Sequence, residues 1–142
     1  MRRQNRLSFR IKTRCKAVFL LVINLLIVRF QTYEKWSKNI LYSDAEKYNS
    51  KAIDMPKARY CCSVIQRVSA PLVNYFSCLI QVLSARKMLL DEGIPSTICI
   101  GVRSAGDIQS NFEIHAWLEV NGKILVGYLP GEKFQLLLRT SG

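Results

Sequence analysis

The chain has 142 residues, with 21 Lys+Arg against 10 Asp+Glu, five cysteines and one histidine. That length suits one compact domain, and 49% apolar residues exclude wholesale disorder. The net charge of +11 is uneven: residues 1–60 hold 14 basic and 4 acidic residues (+10), residues 61–142 hold 7 and 6 (+1), so a uniformly basic nucleic-acid-binding chain is excluded.

Residues 8–42 read as one long helix or two consecutive ones, polar at both ends and apolar in the middle. Within it AVFLLVINLLIV (17–28) comes after seven basic residues and is flanked by Lys16 and Arg29, which resembles a signal or anchor segment. As a helix this run reaches only about 18 Å, against roughly 30 Å of bilayer hydrocarbon. Asn24 interrupts it and RFQTYEKW comes next without a small-residue cleavage site. A helix packed on the domain is the expectation, with an interfacial helix on anionic lipid as the lesser one.

The polar stretch 43–56 reads as a connection, with Ser43 or Asp44 a plausible N-cap. From Lys57 to Ser69, Ala58, Cys61, Cys62, Ile65 and Val68 share one helical face, and Pro71 closes the segment. The clearest helix spans 75–92, with Leu79, Val82, Leu83, Arg86 and Leu90 at helical spacing and Gly93 and Pro95 at its exit.

The texture then changes. Residues 97–102 (TICIGV) form a β-branched run, 103–111 a polar loop, and 112–120 (FEIHAWLEV) a second strand. Asn121-Gly122 signals a tight hairpin into a third strand at 123–128, and 134–138 is a candidate fourth. Helices followed by an antiparallel meander make an α+β fold, with residues 1–56 a basic helical region of the same fold and 57–142 its core.

Cys15, Cys61, Cys62, Cys78 and Cys99 are odd in number, two are adjacent, and none shows C-x-x-C spacing. That is a poor disulfide framework, and one histidine does not complete a zinc finger. Most of these thiols are expected to be small buried hydrophobes in a reducing cytoplasm. Cys78 is different because it opens a helix. A helix N-terminus favours thiolate over thiol and offers N–H groups to an oxyanion. His115, on a strand of the sheet that packs on that helix, is the natural partner to accept the thiol proton and return it to a leaving amine.

The stretches FSCLIQVLSARKMLLDEGIPSTICIGVR and FEIHAWLEVNGKILVG resemble the leader peptidases of lasso-peptide biosynthesis, which are small transglutaminase-like cysteine proteases. The resemblance rests on Ser77-Cys78-Leu79, Gly93-Ile94-Pro95, Ile100-Gly101-Val102-Arg103 and His115-Ala116-Trp117-Leu118-Glu119, with the apolar N-terminal helix and Trp36 in support. It implies a transglutaminase-like or papain-like α+β core. It also implies a cysteine nucleophile at Cys78, a general base and acid at His115, and no cofactor or metal. The partners implied are the precursor peptide, a separate leader-recognition protein and a macrolactam-forming cyclase. The basic N-terminal third would then face an acidic leader or partner.

The family adds an aspartate after the histidine to orient the ring, and the position twelve residues on is Gly127 here. A backbone carbonyl, a side chain among Asp107, Gln109 and Asn111, or an amide remain as substitutes. Glu113 and Glu119 share the histidine's strand face, but Glu119 is too far along to orient it. Trp117 is expected to pack over the ring, Arg103 to be a surface cation, and Cys61 and Cys62 to be packing residues. The alternatives are a catalytically weak or inactive scaffold of the same fold, or a basic module for nucleic acid or an anionic membrane. Low aromatic content in residues 1–16 and a near-neutral second half speak against the module.

Overall fold

A computed structural model describes residues 2–32, 34–35, 37, 52–104 and 112–141; side chains are described from residue 8 to residue 140. Among these residues are the α-helices α1 (Arg2–Phe30), α2 (Met55–Ser69) and α3 (Cys78–Asp91). Four strands come after them: β1 (Thr97–Ser104), β2 (Phe112–Val120), β3 (Lys123–Val126) and β4 (Gln135–Ser141). Trp36, Ser43, Asp44 and the loop residues Asp107, Gln109 and Asn111 lie outside the described residues.

The apolar run 17–28 is a face of α1. Ala17, Leu20 and Leu21 are buried, and so is Asn24, whose amide donates to Leu20 O (2.9 Å) and to Ser84 Oγ on α3 (3.1 Å). The asparagine that breaks the apolar run is therefore a polar tie between two helices, its Nδ2 donating to both. Val18, Phe19, Val22, Leu26 and Phe30 of the same helix are exposed. No helix among the described residues is long and apolar enough to cross a membrane.

Helix α2 begins at Met55, two residues earlier than its apolar spacing suggests. Asp54 caps it by accepting from the Lys57 N–H at 3.0 Å, and Pro56 occupies the first turn, where a missing N–H costs nothing. Ala58, Cys61, Cys62 and Ile65 are buried as the spacing requires, and a short 3-10 turn, Ala70–Leu72, carries Pro71. Helix α3 is shorter than residues 75–92 suggest. Tyr75 and Phe76 donate back to Leu72 O instead, and Phe76 packs into the core before the helix starts.

At the other end of α3, Gly93 takes φ +70°, with Gly93 N–H bonded to Leu90 O and Ile94 N–H to Leu89 O, a two-bond C-terminal cap. Ion pairs tie the three helices there: Lys16–Asp91 at 3.0 Å, Lys87–Asp91 at 3.2 Å and Lys57–Glu92 at 2.5 Å.

The sheet corrects the expected meander. Its order is β3-β2-β1-β4, so β4 crosses over to pair antiparallel with β1 on the far edge, the Greek-key arrangement. Arg103 belongs to β1 and not to the loop, because it sits in register with Glu113 of β2. Asn121 and Gly122 take φ +49° and +71°, the positive pair a type I′ hairpin needs.

Ile98, Ala116, Leu118, Val120 and Val126 point to the helices and join Leu21, Ile65, Leu83, Met88 and Leu89 in one core. Each fully buried large aliphatic there is worth about 2–5 kcal/mol against alanine. Arg86 of α3 is also buried, donating from Nη1 to Thr140 Oγ1 at 3.1 Å, while its Nε and Nη2 have no partner among the described residues.

Candidate active site

Cys78 is the first residue of α3, half-buried at the border of the helical core. Ser77 occupies the N-cap in extended backbone and makes no side-chain cap bond, so the first-turn N–H groups receive no oxygen from it. From this position the first-turn N–H groups are open to an oxygen of a bound group.

His115 lies on β2 between the exposed Ile114 and the buried Ala116. Since Ala116, Leu118 and Val120 face the helices, strand alternation turns His115, Trp117 and Glu119 to the outer face of the sheet. The structure thus sets the two expected catalytic side chains on different sides of β2. No hydrogen bond joins them among the described residues.

The surroundings of His115 are well defined. Its ring stacks on Trp117 (centroids 6.4 Å, 19° between planes) and lies 5.1 Å from Phe134. Nε2 is 2.7 Å from the carbonyl oxygen of Gly127. A carbonyl accepts only, so Nε2 carries a proton, and Nδ1 has no hydrogen-bond partner among the described residues. Among the described residues, the group that meets the ring is a backbone carbonyl, one of the substitutes considered for the aspartate.

Gly127 is required there for two reasons. Its φ is +80°, and a Cβ would stand 2.5 Å from Ala116 O and 3.0 Å from Trp117 Cα. Any side chain at the family's aspartate position would drive into the backbone of β2. Gly101, opposite His115 in register, has a similar role: a Cβ would meet Phe134 Cβ at 2.8 Å and the Trp117 ring at 2.9 Å. The two aromatic rings close over the glycine.

The neighbours acquire specific functions. Trp117 donates from Nε1 to Glu119 (3.0 Å), whose other oxygen accepts from Arg139 at 2.9 Å. Arg103 pairs with Glu113 (2.6 Å) and with Glu132, and its guanidinium lies 5.2 Å from the Phe134 ring centre. It is a clamp that ties the β3–β4 connection to β1 and β2. A cavity of about 450 Å³ opens beside His115, walled by Trp117, Tyr128, Phe134, Glu132 and Lys133.

Sequence patterns do not single out Phe134 or the Gly127 carbonyl as contacts of the ring. The nearest signal is the interval between His115 and Gly127 itself.

Cys61, Cys62 and Cys99 are buried packing groups, whereas Cys15 is exposed. Burial, then the neighbouring Cys61, pushes Cys62 up to about 12, and burial followed by the Glu119 charge pushes Cys99 up to about 11. Burial raises Cys61 as well, assisted by Glu92. All five cysteines are free.

Residues 19–139 match the family model described as the transglutaminase-like superfamily. No curated protein and no solved structure matches the chain.

Proposed function

The chain belongs to the transglutaminase-like superfamily, and from that premise we propose that it is a cysteine peptidase that removes the leader from a ribosomally made lasso-peptide precursor. The observation that carries the reading is Cys78 at the first position of α3, with no side chain capping the turn. In this reading Cys78 Sγ attacks the carbonyl carbon of the leader–core amide. The first-turn N–H groups receive the oxyanion as it forms. His115 takes the thiol proton on Nδ1 and returns it to the departing amine, leaving a thioester that water hydrolyses.

Proton transfer requires the N-terminal end of β2 to bring the ring to the side of Cys78. We assign that change to binding of the precursor, a leader-recognition protein or the cyclase. Phe112 and Ile114, which flank Glu113 at that end, are exposed and free to be covered.

The second reading, a scaffold with little or no activity, is favoured by a specific observation. His115 is held by a carbonyl in place of a carboxylate, on the outer face of the sheet. Loss of the orienting acid alone lowers triad catalysis by orders of magnitude. One experiment separates the two: purified chain, recognition protein and precursor are incubated, and leader release is followed by mass. Release that disappears in Cys78→Ala and in His115→Ala establishes the peptidase. Release unchanged in Cys78→Ala, or none from the wild type, leaves the scaffold.

A further inference from the structure

We propose that the groove between the N-terminal half of α1 and α2 is a docking site for an acidic peptide segment, gripped by Arg10, Arg14 and Arg67. The groove encloses about 390 Å³ and is lined by these three arginines with Tyr60, Val64 and Val68. Arg10 and Arg14 stand one turn apart on α1, on one side of that helix, and Arg67 comes from the last turn of α2.

None of the three has an acidic partner among the described residues. Lys16, Lys57, Lys87, Arg103 and Arg139 each meet a carboxylate; Arg59, Lys123 and other surface cations do not among the described residues, and what distinguishes Arg10, Arg14 and Arg67 is that they line one groove. Three arginines lining one groove without an acidic partner among the described residues favour an anion in it, since its charge offsets theirs. Their planar forks match carboxylates in bidentate fashion.

The apolar part of the lining selects the occupant. Val64 is buried and Val68 half-buried, so the groove offers aliphatic surface beside the charges. A peptide that intersperses carboxylates with aliphatic side chains satisfies both. A bare phosphate leaves the valines in contact with water. A single-stranded nucleic acid binds through open aromatic faces, and the Tyr60 ring is already stacked on Phe9 at 6.0 Å. The groove shares no residue with the surroundings of Cys78 or His115, so its failure leaves the catalytic reading standing, and the converse holds.

The test uses the full chain at about physiological salt and a labelled short peptide of alternating glutamate and leucine, followed by fluorescence anisotropy. Arg14→Gln and Arg67→Gln are expected to weaken binding about tenfold each, with partial recovery in Arg67→Lys. Lys12→Gln lies on the other side of α1 and is expected to change affinity less than about twofold. Circular dichroism melts confirm that each variant folds. Equal weakening by Lys12→Gln would show a bulk charge effect and overturn the proposal. So would absence of peptide binding, equal binding of a glutamine–leucine peptide, or tighter binding of an oligonucleotide or phosphatidylglycerol vesicles that Arg67→Gln weakens.

Discussion

Restoring the family's aspartate by Gly127→Asp is the substitution that analogy recommends and that this structure forbids. Gly127 has φ +80°, where an L-residue costs about 1–2 kcal/mol. Its added Cβ would stand 2.5 Å from Ala116 O and 3.0 Å from Trp117 Cα, and both obstacles are backbone in the middle of the sheet. Overpacking of that kind costs a further 1–3 kcal/mol or so. Gly127→Ala is thus expected to lose about 3 kcal/mol, which lowers Tm by about 10 °C at this chain length. Gly127→Asp is expected to lose more, because its carboxylate is also pressed against the Ala116 carbonyl oxygen. Thermal melts by circular dichroism of both variants measure this, and leader release measured alongside is expected to fall in each. A Gly127→Asp protein as stable as the wild type, with faster leader release, would refute the reasoning. It would mean that the β3–β4 connection accommodates a carboxylate and that the carbonyl's contact with His115 is incidental.

Thiol accessibility provides a second check: under native conditions near pH 8, iodoacetamide is expected to label Cys15 and Cys78. Cys61, Cys62 and Cys99 should react only after denaturation, because burial hides them and raises the pH at which they ionise, keeping them as thiols. Intact-mass spectrometry counts the adducts, and rapid native labelling of Cys62 would contradict the core packing of α2. Burial acts to raise the Asp91 carboxyl, but its hydrogen bonds with Lys16 and Lys87 together outweigh that and leave it below the usual range. The stabilisation is therefore present above an unfolded pKa of about 3.9 and lost as pH falls through the lower folded value. Urea melts of wild type and Lys16→Met are expected to differ by a few tenths of a kcal/mol at pH 7, since the pair is one-third exposed, and to converge once acid has protonated the Asp91 carboxyl. A difference that persists at acid pH would assign the effect to packing. Finally, Arg86→Met is expected to raise stability by about 1 kcal/mol, since it replaces a buried cation whose Nε and Nη2 lack partners. Urea melts that show a loss of more than about 2 kcal/mol would reveal a partner for Nε or Nη2.

Local physics made much of this fold legible. Periodicity and terminators placed α2 and α3, Gly93 marked the cap, and Asn121-Gly122 marked the hairpin, each because the signal lies within a few residues of what it controls. The start of α3 shifted from residue 75 to Cys78 because burial of Phe76 outweighed helical spacing, and the cap of α2 fell at Asp54 because the carboxylate reaches the Lys57 N–H. Cys78 at the head of a helix was likewise a local inference, and the structure has it there.

What only the tertiary structure decided is pairing across distance. That β4 joins β1 rather than β3 depends on a crossover that no period-2 pattern encodes. Strand alternation is visible in FEIHAWLEV, yet which of its two faces meets the helices is set by burial of Ala116, Leu118 and Val120, and this sends His115 to the outer face. The ring's partner is a backbone carbonyl, a group every residue carries, so sequence does not distinguish the one at Gly127. The charge told the same story: composition located the excess of +10 in residues 1–60, while packing of α1 on α2 gathered Arg10 and Arg14 with Arg67 from beyond that boundary. Residue chemistry is written along the chain, and the direction in which each group points is set by what the rest of the chain packs against it.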